Sequence, residues 1–212
     1  IMAKIEIQNL TRDFKNAHVL KKVNLTLESG RCYGLVGRNG SGKTVLMKLI
    51  CGFLSPTQGR VLVNGKQVGK DVDFAPDTGA IIETPAFLPY LSGYQNLKNL
   101  ADIQKKIGPT EICQVIETVG LDPNSKKRVS KYSLGMRQRL GIAQAIMEDP
   151  DILILDEPMS GLDKEGVADM KNLFMKLKQS GKLILLASHV QSDVDFLCDE
   201  VFEMDQGILS PV

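Results

Sequence analysis

The sequence carries almost no net charge. Lys and Arg total 26 against 25 Asp and Glu, a formal charge of +1 over 212 residues, so no long-range field exists to gather a nucleic acid or an anionic membrane surface. Charge indicates neither partner, and no nucleic-acid role is expected. Long apolar runs are also missing. The longest, such as LILLA at 183–187, fall far short of the roughly 20 residues that span a bilayer, and no signal-peptide pattern opens the chain. These absences predict a cytosolic polypeptide, one that is still free to bind a membrane protein. Cysteine is sparse: Cys32, Cys51, Cys113 and Cys198 are far apart and form no C-x-x-C pair. Buried thiols in a reducing compartment are expected rather than disulfides or a zinc site. There is no internal repeat and no low-complexity segment. Ile1, ahead of Met2, is left out of the reasoning.

What is present is enough apolar content, 43% of 212 residues, for one large core with a smaller subdomain hung from it. Alternation in KIEIQNL and in NLTLESGRCYGLVG predicts two early strands, and GRVLVNGKQV a third and fourth around the Asn64-Gly65 turn. An antiparallel sheet is therefore expected early in the chain. From Pro85 the spacing changes to three and four, in LSGYQNLKNLADIQKKI and TEICQVIETVGL, with Gly108-Pro109 and Asp122-Pro123 as breaks. A helical insertion over about 85–135 follows. Beyond it, the helix MRQRLGIAQAIM, the apolar strand DILILDE, the helix KEGVADMKNLFMKLKQS, the strand KLILLAS and the helix DVDFLCDE alternate before VFEMDQGIL. That alternation predicts a parallel sheet covered on both faces.

GRNGSGKT at 37–44 fits G-x-x-x-x-G-K-[ST] and stands between strand-like CYGLVG and helix-like VLMKLICGF. Glycines at Gly37, Gly40 and Gly42 let the backbone curl, so that the N–H groups of Arg38, Asn39, Ser41 and the helix start through Val45 can converge on one anion. Lys43 then reaches the terminal phosphates of a nucleotide, and the Thr44 hydroxyl is offered to Mg2+. The competing reading is a polar turn. The second signal is ILILDE at 152–157, a buried strand ending in two carboxylates. Alternating side-chain directions let Asp156 hold magnesium while Glu157 addresses an attacking water. The competing reading there is a solvated strand end whose acids meet nearby lysines.

In order and spacing these motifs resemble, over essentially the whole chain, the ATP-binding subunits of ABC transporters. YSLGMRQRL at 132–140 is similar to the signature segment, SGLD at 160–163 to the D-loop, and ASH at 187–189 places His189 as the switch histidine. The resemblance implies an α/β P-loop NTPase core with an N-terminal antiparallel β subdomain and an inserted helical subdomain. Residues 2–84 and 136–212 would form the catalytic core of a single nucleotide-binding domain. It implies that the chain binds ATP and Mg2+, with Phe14 stacked on adenine and His189 steadying the γ-phosphate. It further implies a head-to-tail dimer, in which Ser133 and Gly135 of one subunit close over the ATP of the other. Hydrolysis would power separate transmembrane permease subunits, and association with them would hold the protein at the inner face of the membrane. Phe14 as a core aromatic, His189 as a satisfied histidine and Ser133 as a plain N-cap stay open as alternatives.

Two departures from the family pattern narrow the assignment. The usual LSGGQ reads Tyr132-Ser133-Leu134-Gly135-Met136, and Glu83 takes the place of the Q-loop glutamine. An ionised glutamate only accepts hydrogen bonds, so the expected partner of Glu83 is the magnesium ion. Both features are similar to the bacitracin-transport and lantibiotic-immunity branch, which implies export for self-protection. A soluble translation-type or chromosome-maintenance protein would carry a second cassette or a long coiled coil, and a pure nucleotide-binding regulator would not need Glu157 together with His189. An importer or a lipid-releasing system, or a soluble non-transport ABC regulator, remains the alternative.

Overall fold

The computed structural model describes residues 2–15 and 17–212. Strand β1 (Lys4–Phe14) turns its alternating Ile5, Ile7 and Leu10 inward and pairs antiparallel with β2 (Ala17–Glu28). The register shifts around Asn9, whose φ is 49°. The stretch read as one strand, NLTLESGRCYGLVG, is cut at Ser29-Gly30, so that β3 (Cys32–Val36) starts afresh and leaves for another sheet. Helix α1 (Lys43–Cys51) begins at Gly42, which is left-handed, and stops at Gly52, also left-handed. The hairpin β4 (Gln58–Val63) and β5 (Lys66–Gln67) completes a four-stranded antiparallel sheet in the order β2-β1-β4-β5, as the sequence predicted.

The larger sheet has strand order β10-β9-β3-β8-β7-β6. Its edge strand β6 (Thr78–Ile81) was not anticipated from sequence, because TGAI has too little apolar periodicity to announce a strand. It exists through parallel pairing with β7 (Ile152–Asp156). Between them lie α2 (Gly93–Gln104), α3 (Pro109–Thr118), a single 3-10 turn at Val129–Lys131 and α4 (Leu134–Ile146). Their starts are written locally. Ser92 and Gln95 form a reciprocal capping box on α2, and Ser133 caps α4. Gly108-Pro109, expected as a break, is the start of α3, with Pro109 in the first turn and Glu111 accepting from the Gly108 N–H.

Helix α5 (Lys164–Gln179), capped by Asp163, leads to β8 (Leu183–Ala187), and α6 (Gln191–Leu197) leads to β9 (Glu200–Asp205). VFEMDQGIL is a hairpin rather than one strand. Gln206 and Gly207 both have positive φ, which returns the chain as β10 (Ile208–Pro211). On β7 and β8 the even-and-odd alternation divides the apolar residues between two cores. Ile152, Ile154, Leu183 and Leu185 face α1 and the antiparallel sheet. Leu153, Leu155, Ile184 and Leu186 face α2, α3, α4 and α5. Covering both faces leaves the carboxyl ends of β3, β7 and β8 as the place where polar side chains can gather. Among the described residues, no helix is long and apolar enough to cross a membrane.

Candidate functional site

The loop between β3 and α1 is shaped by backbone that only glycine adopts comfortably. Gly37 has φ 137°, and a Cβ there would collide with the Met204 carbonyl oxygen. Gly42 has φ 117°, with Leu20 and Val19 pressed against the face where a Cβ would stand. Inside this loop, the buried Lys43 ammonium donates to the carbonyl oxygens of Gly37 at 2.6 Å and Arg38 at 3.1 Å. It thus sits as a positive charge on neutral acceptors. The Ser41 Oγ beside it is buried without a hydrogen-bond partner.

At the end of β7 the two carboxylates separate. Asp156 Oδ2 accepts from Thr44 Oγ1 at 2.7 Å. Glu157 lies beyond the strand with φ 50°, and its Oε2 is 2.8 Å from His189 Nδ1. Strand alternation was the expected reason for their divergence, but the left-handed backbone at Glu157 is what turns the second carboxylate toward the loop after β8. Asn39, Gly40, Gly42, Lys43, Thr44, Val45, Glu83, Asp156 and Glu157 line one cleft of about 670 Å³. His189 lines an adjoining recess of about 430 Å³ that shares Glu157.

Phe14, Ser133 and Gly135 do not line that cleft. Phe14 ends β1, 42% exposed, with the Arg12 guanidinium 4.4 Å from its ring centroid, so it is not a core aromatic. Ser133 Oγ accepts from the Met136 N–H, the plain N-cap role left open by the sequence. Gly135 packs beside the Gly161 backbone. Glu83, expected to face a metal, makes an ion pair with Lys48 at 2.7 Å.

Sequence reasoning missed two participants. Gln138 is buried on α4 and donates through Nε2 to the carbonyls of Pro158 at 2.9 Å and Glu157 at 3.3 Å, fixing the segment that carries Glu157. A polar residue four positions after Leu134, on the inner face of a helix, was the available signal. Lys48 is the other, four residues after Thr44 on α1. The sequence had also set all four cysteines apart, yet Cys32 and Cys198 meet with their sulfurs 3.8 Å apart. That contact, with burial, raises the Cys32 pKa well above the usual thiol value.

The donor chemistry fits a nucleotide with Mg2+. The loop offers a cation, an unpartnered hydroxyl and a helix N-terminus to phosphate, and Thr44 and Asp156 offer hard oxygens to Mg2+. Among the described residues, no group of three His, Cys, Asp or Glu could hold a metal alone, so phosphate and water oxygens would have to complete the coordination.

The family model described as ABC transporter matches residues 20–160. An uncharacterized ABC transporter ATP-binding protein, YybJ of Bacillus subtilis strain 168, is 43% identical over 205 residues, covering 97% of this chain and 94% of the relative. The bacitracin transport ATP-binding protein BcrA of Enterococcus faecalis is 41% identical over 207 residues, covering 97% of this chain and 67% of the relative. The lantibiotic transport ATP-binding protein SrtF of Streptococcus pyogenes is 35% identical over 203 residues, covering 96% and 87%. Among solved structures, a dimeric post-hydrolysis ATP-binding cassette bound to ADP and Pi superposes with a TM-score of 0.87, at 20% identity over 98% of both chains. That likeness shows the fold: an α/β P-loop cassette with its antiparallel β subdomain.

Proposed function

This chain belongs to the ABC transporter family, and from that premise we propose that it binds and hydrolyses ATP to drive separate membrane permease subunits, in export that protects the cell from an antimicrobial peptide. Support for the transport class comes from the bacitracin and lantibiotic transport relatives. The observation that carries the chemistry is the division of labour between adjacent carboxylates, Asp156 bonded to Thr44 and Glu157 bonded to His189.

In this reading the chain is one nucleotide-binding domain, with 85–135 as its helical subdomain. Lys43 leaves its neutral carbonyl partners for the terminal phosphates, and the amides of residues 38–45 and the Ser41 hydroxyl close around the phosphate chain. Thr44 and Asp156 would hold Mg2+, with Glu83 at the cleft wall. The metal would supply neutralisation of the phosphate charge there. Glu157 takes a proton from the attacking water through Oε1, while His189 holds Oε2 and so fixes the rotamer. Phe14 presents the face not covered by Arg12 to the adenine ring.

Ser133 and Gly135 lie outside this chain's own cleft, which suits a head-to-tail dimer in which they close over the partner's ATP. The segment from Thr84 to Gln95, with exposed Leu88 and Tyr90, is the contact to the permease and keeps the subunit at the inner face of the membrane.

The test is co-expression with the cognate permease subunits in a bacitracin-sensitive host. Wild type should raise the tolerated peptide concentration, and Glu157→Gln should remove that protection while trapping an ATP-dependent dimer visible by light scattering. Equal tolerance in both strains would refute the coupling of hydrolysis to export.

A further inference from the structure

Glu83 stands two residues beyond β6 with a left-handed backbone, φ 62°, and lines the same cleft as Thr44 and Asp156. A carboxylate at that position repels an incoming phosphate chain and is satisfied only by cations or hydrogen-bond donors. The structure supplies a cation: Lys48 Nζ lies 2.7 Å from Glu83 Oε1. Lys48 follows Thr44 by four residues on α1, so both side chains leave the same helical face, one turn apart. The Lys48 side chain is 27% exposed and that of Glu83 63%. An ion pair this wet is weak and exchanges readily. It offsets the charge of Glu83 without locking the carboxylate in place.

We infer that Lys48 is a positioning residue that stands in for the divalent cation at Glu83. Without metal, Lys48 holds Glu83 Oε1 and offsets its charge as the nucleotide phosphates enter. With metal bound, Lys48 gives the carboxylate up and ceases to matter for nucleotide affinity. The inference rests on the reading of the cleft as the site of ATP and Mg2+.

The test is equilibrium titration of the full chain with a fluorescent ATP analogue, once in EDTA and once in excess Mg2+. Lys48→Met should weaken binding in EDTA about two- to fivefold, the upper part of the range expected of a part-exposed ion pair, and should leave the Mg2+ affinity unchanged. The ratio of the two dissociation constants therefore rises. Lys48→Arg should restore the wild-type ratio. In a Glu83→Gln background, Lys48→Met should alter neither affinity, because the charge to be offset is gone. Lys48→Gln provides a second neutral variant should the methionine lower the melting temperature.

An unchanged ratio in both neutral variants overturns the inference, as does an undiminished effect in the Glu83→Gln background. Metal-independent or absent nucleotide binding by wild type overturns the reading of the site itself, and the inference with it. Loss of packing alone would weaken both affinities equally and leave the ratio fixed.

Discussion

Gln138→Leu isolates the contribution of a residue that touches neither phosphate nor metal in the proposed mechanism. The side chain is buried and bonds the carbonyls of Pro158 and Glu157. The Glu157 carbonyl also accepts from the Ser160 N–H at 3.1 Å, so only the buried Pro158 carbonyl loses its partner in the variant. An orphaned buried acceptor costs about 1–3 kcal/mol, and the leucine returns part of that by burying a side chain of similar size. A net loss of about 1–2 kcal/mol lowers the melting temperature of a chain this long by roughly 2–8 °C. The larger effect should fall on turnover. Gln138 spans α4 and the segment after β7, so its loss frees the backbone that sets Glu157, and a displacement of about 1 Å in a reacting group can cost ~10²-fold. Calorimetry and steady-state ATPase assays on the same preparation separate the two effects. A melting shift under about 1 °C together with turnover within about twofold of wild type would refute the assigned role.

Three further outcomes are expected. Glu157→Gln preserves the shape but removes the base, so turnover should fall ~10²- to 10⁴-fold, about 3–5 kcal/mol, with nucleotide affinity retained; a fall below about threefold in a partner-coupled assay would dismiss the base. Lys43→Ala should weaken binding of a fluorescent ATP analogue or abolish turnover while circular dichroism stays native, since the ammonium makes no ion pair with a carboxylate among the described residues; unchanged affinity and hydrolysis would return the loop to a plain turn. Burial pushes the Cys51 thiol up to about 12, and Cys32 is raised by its contact with Cys198, so iodoacetamide in mildly alkaline buffer should label the half-buried Cys113 before either; mass spectrometry showing Cys51 modified as fast as Cys113 would contradict the packing around α1.

The sequence by itself determined what depends on neighbours along the chain. GRNGSGKT is eight consecutive residues whose glycines set its dihedrals, so a sharply curled loop between a strand and a helix was legible from the local sequence. Helix starts at Ser92, Pro109, Ser133 and Asp163 are likewise fixed within a turn. The paired acids of ILILDE were legible because burial and charge conflict within one strand.

Only the tertiary structure decided what depends on distant segments. Strand β6 carries no periodic signal and is made a strand by its ladder to β7. The left-handed turn at Glu157, the grip of Gln138, the pairing of Glu83 with Lys48 and the meeting of Cys32 with Cys198 join residues 19 to 166 positions apart or a backbone angle set by such contacts. Side-chain chemistry states what a residue can bond, but which partner arrives is fixed by how two apolar faces of one sheet are covered, and that is a property of the packed whole.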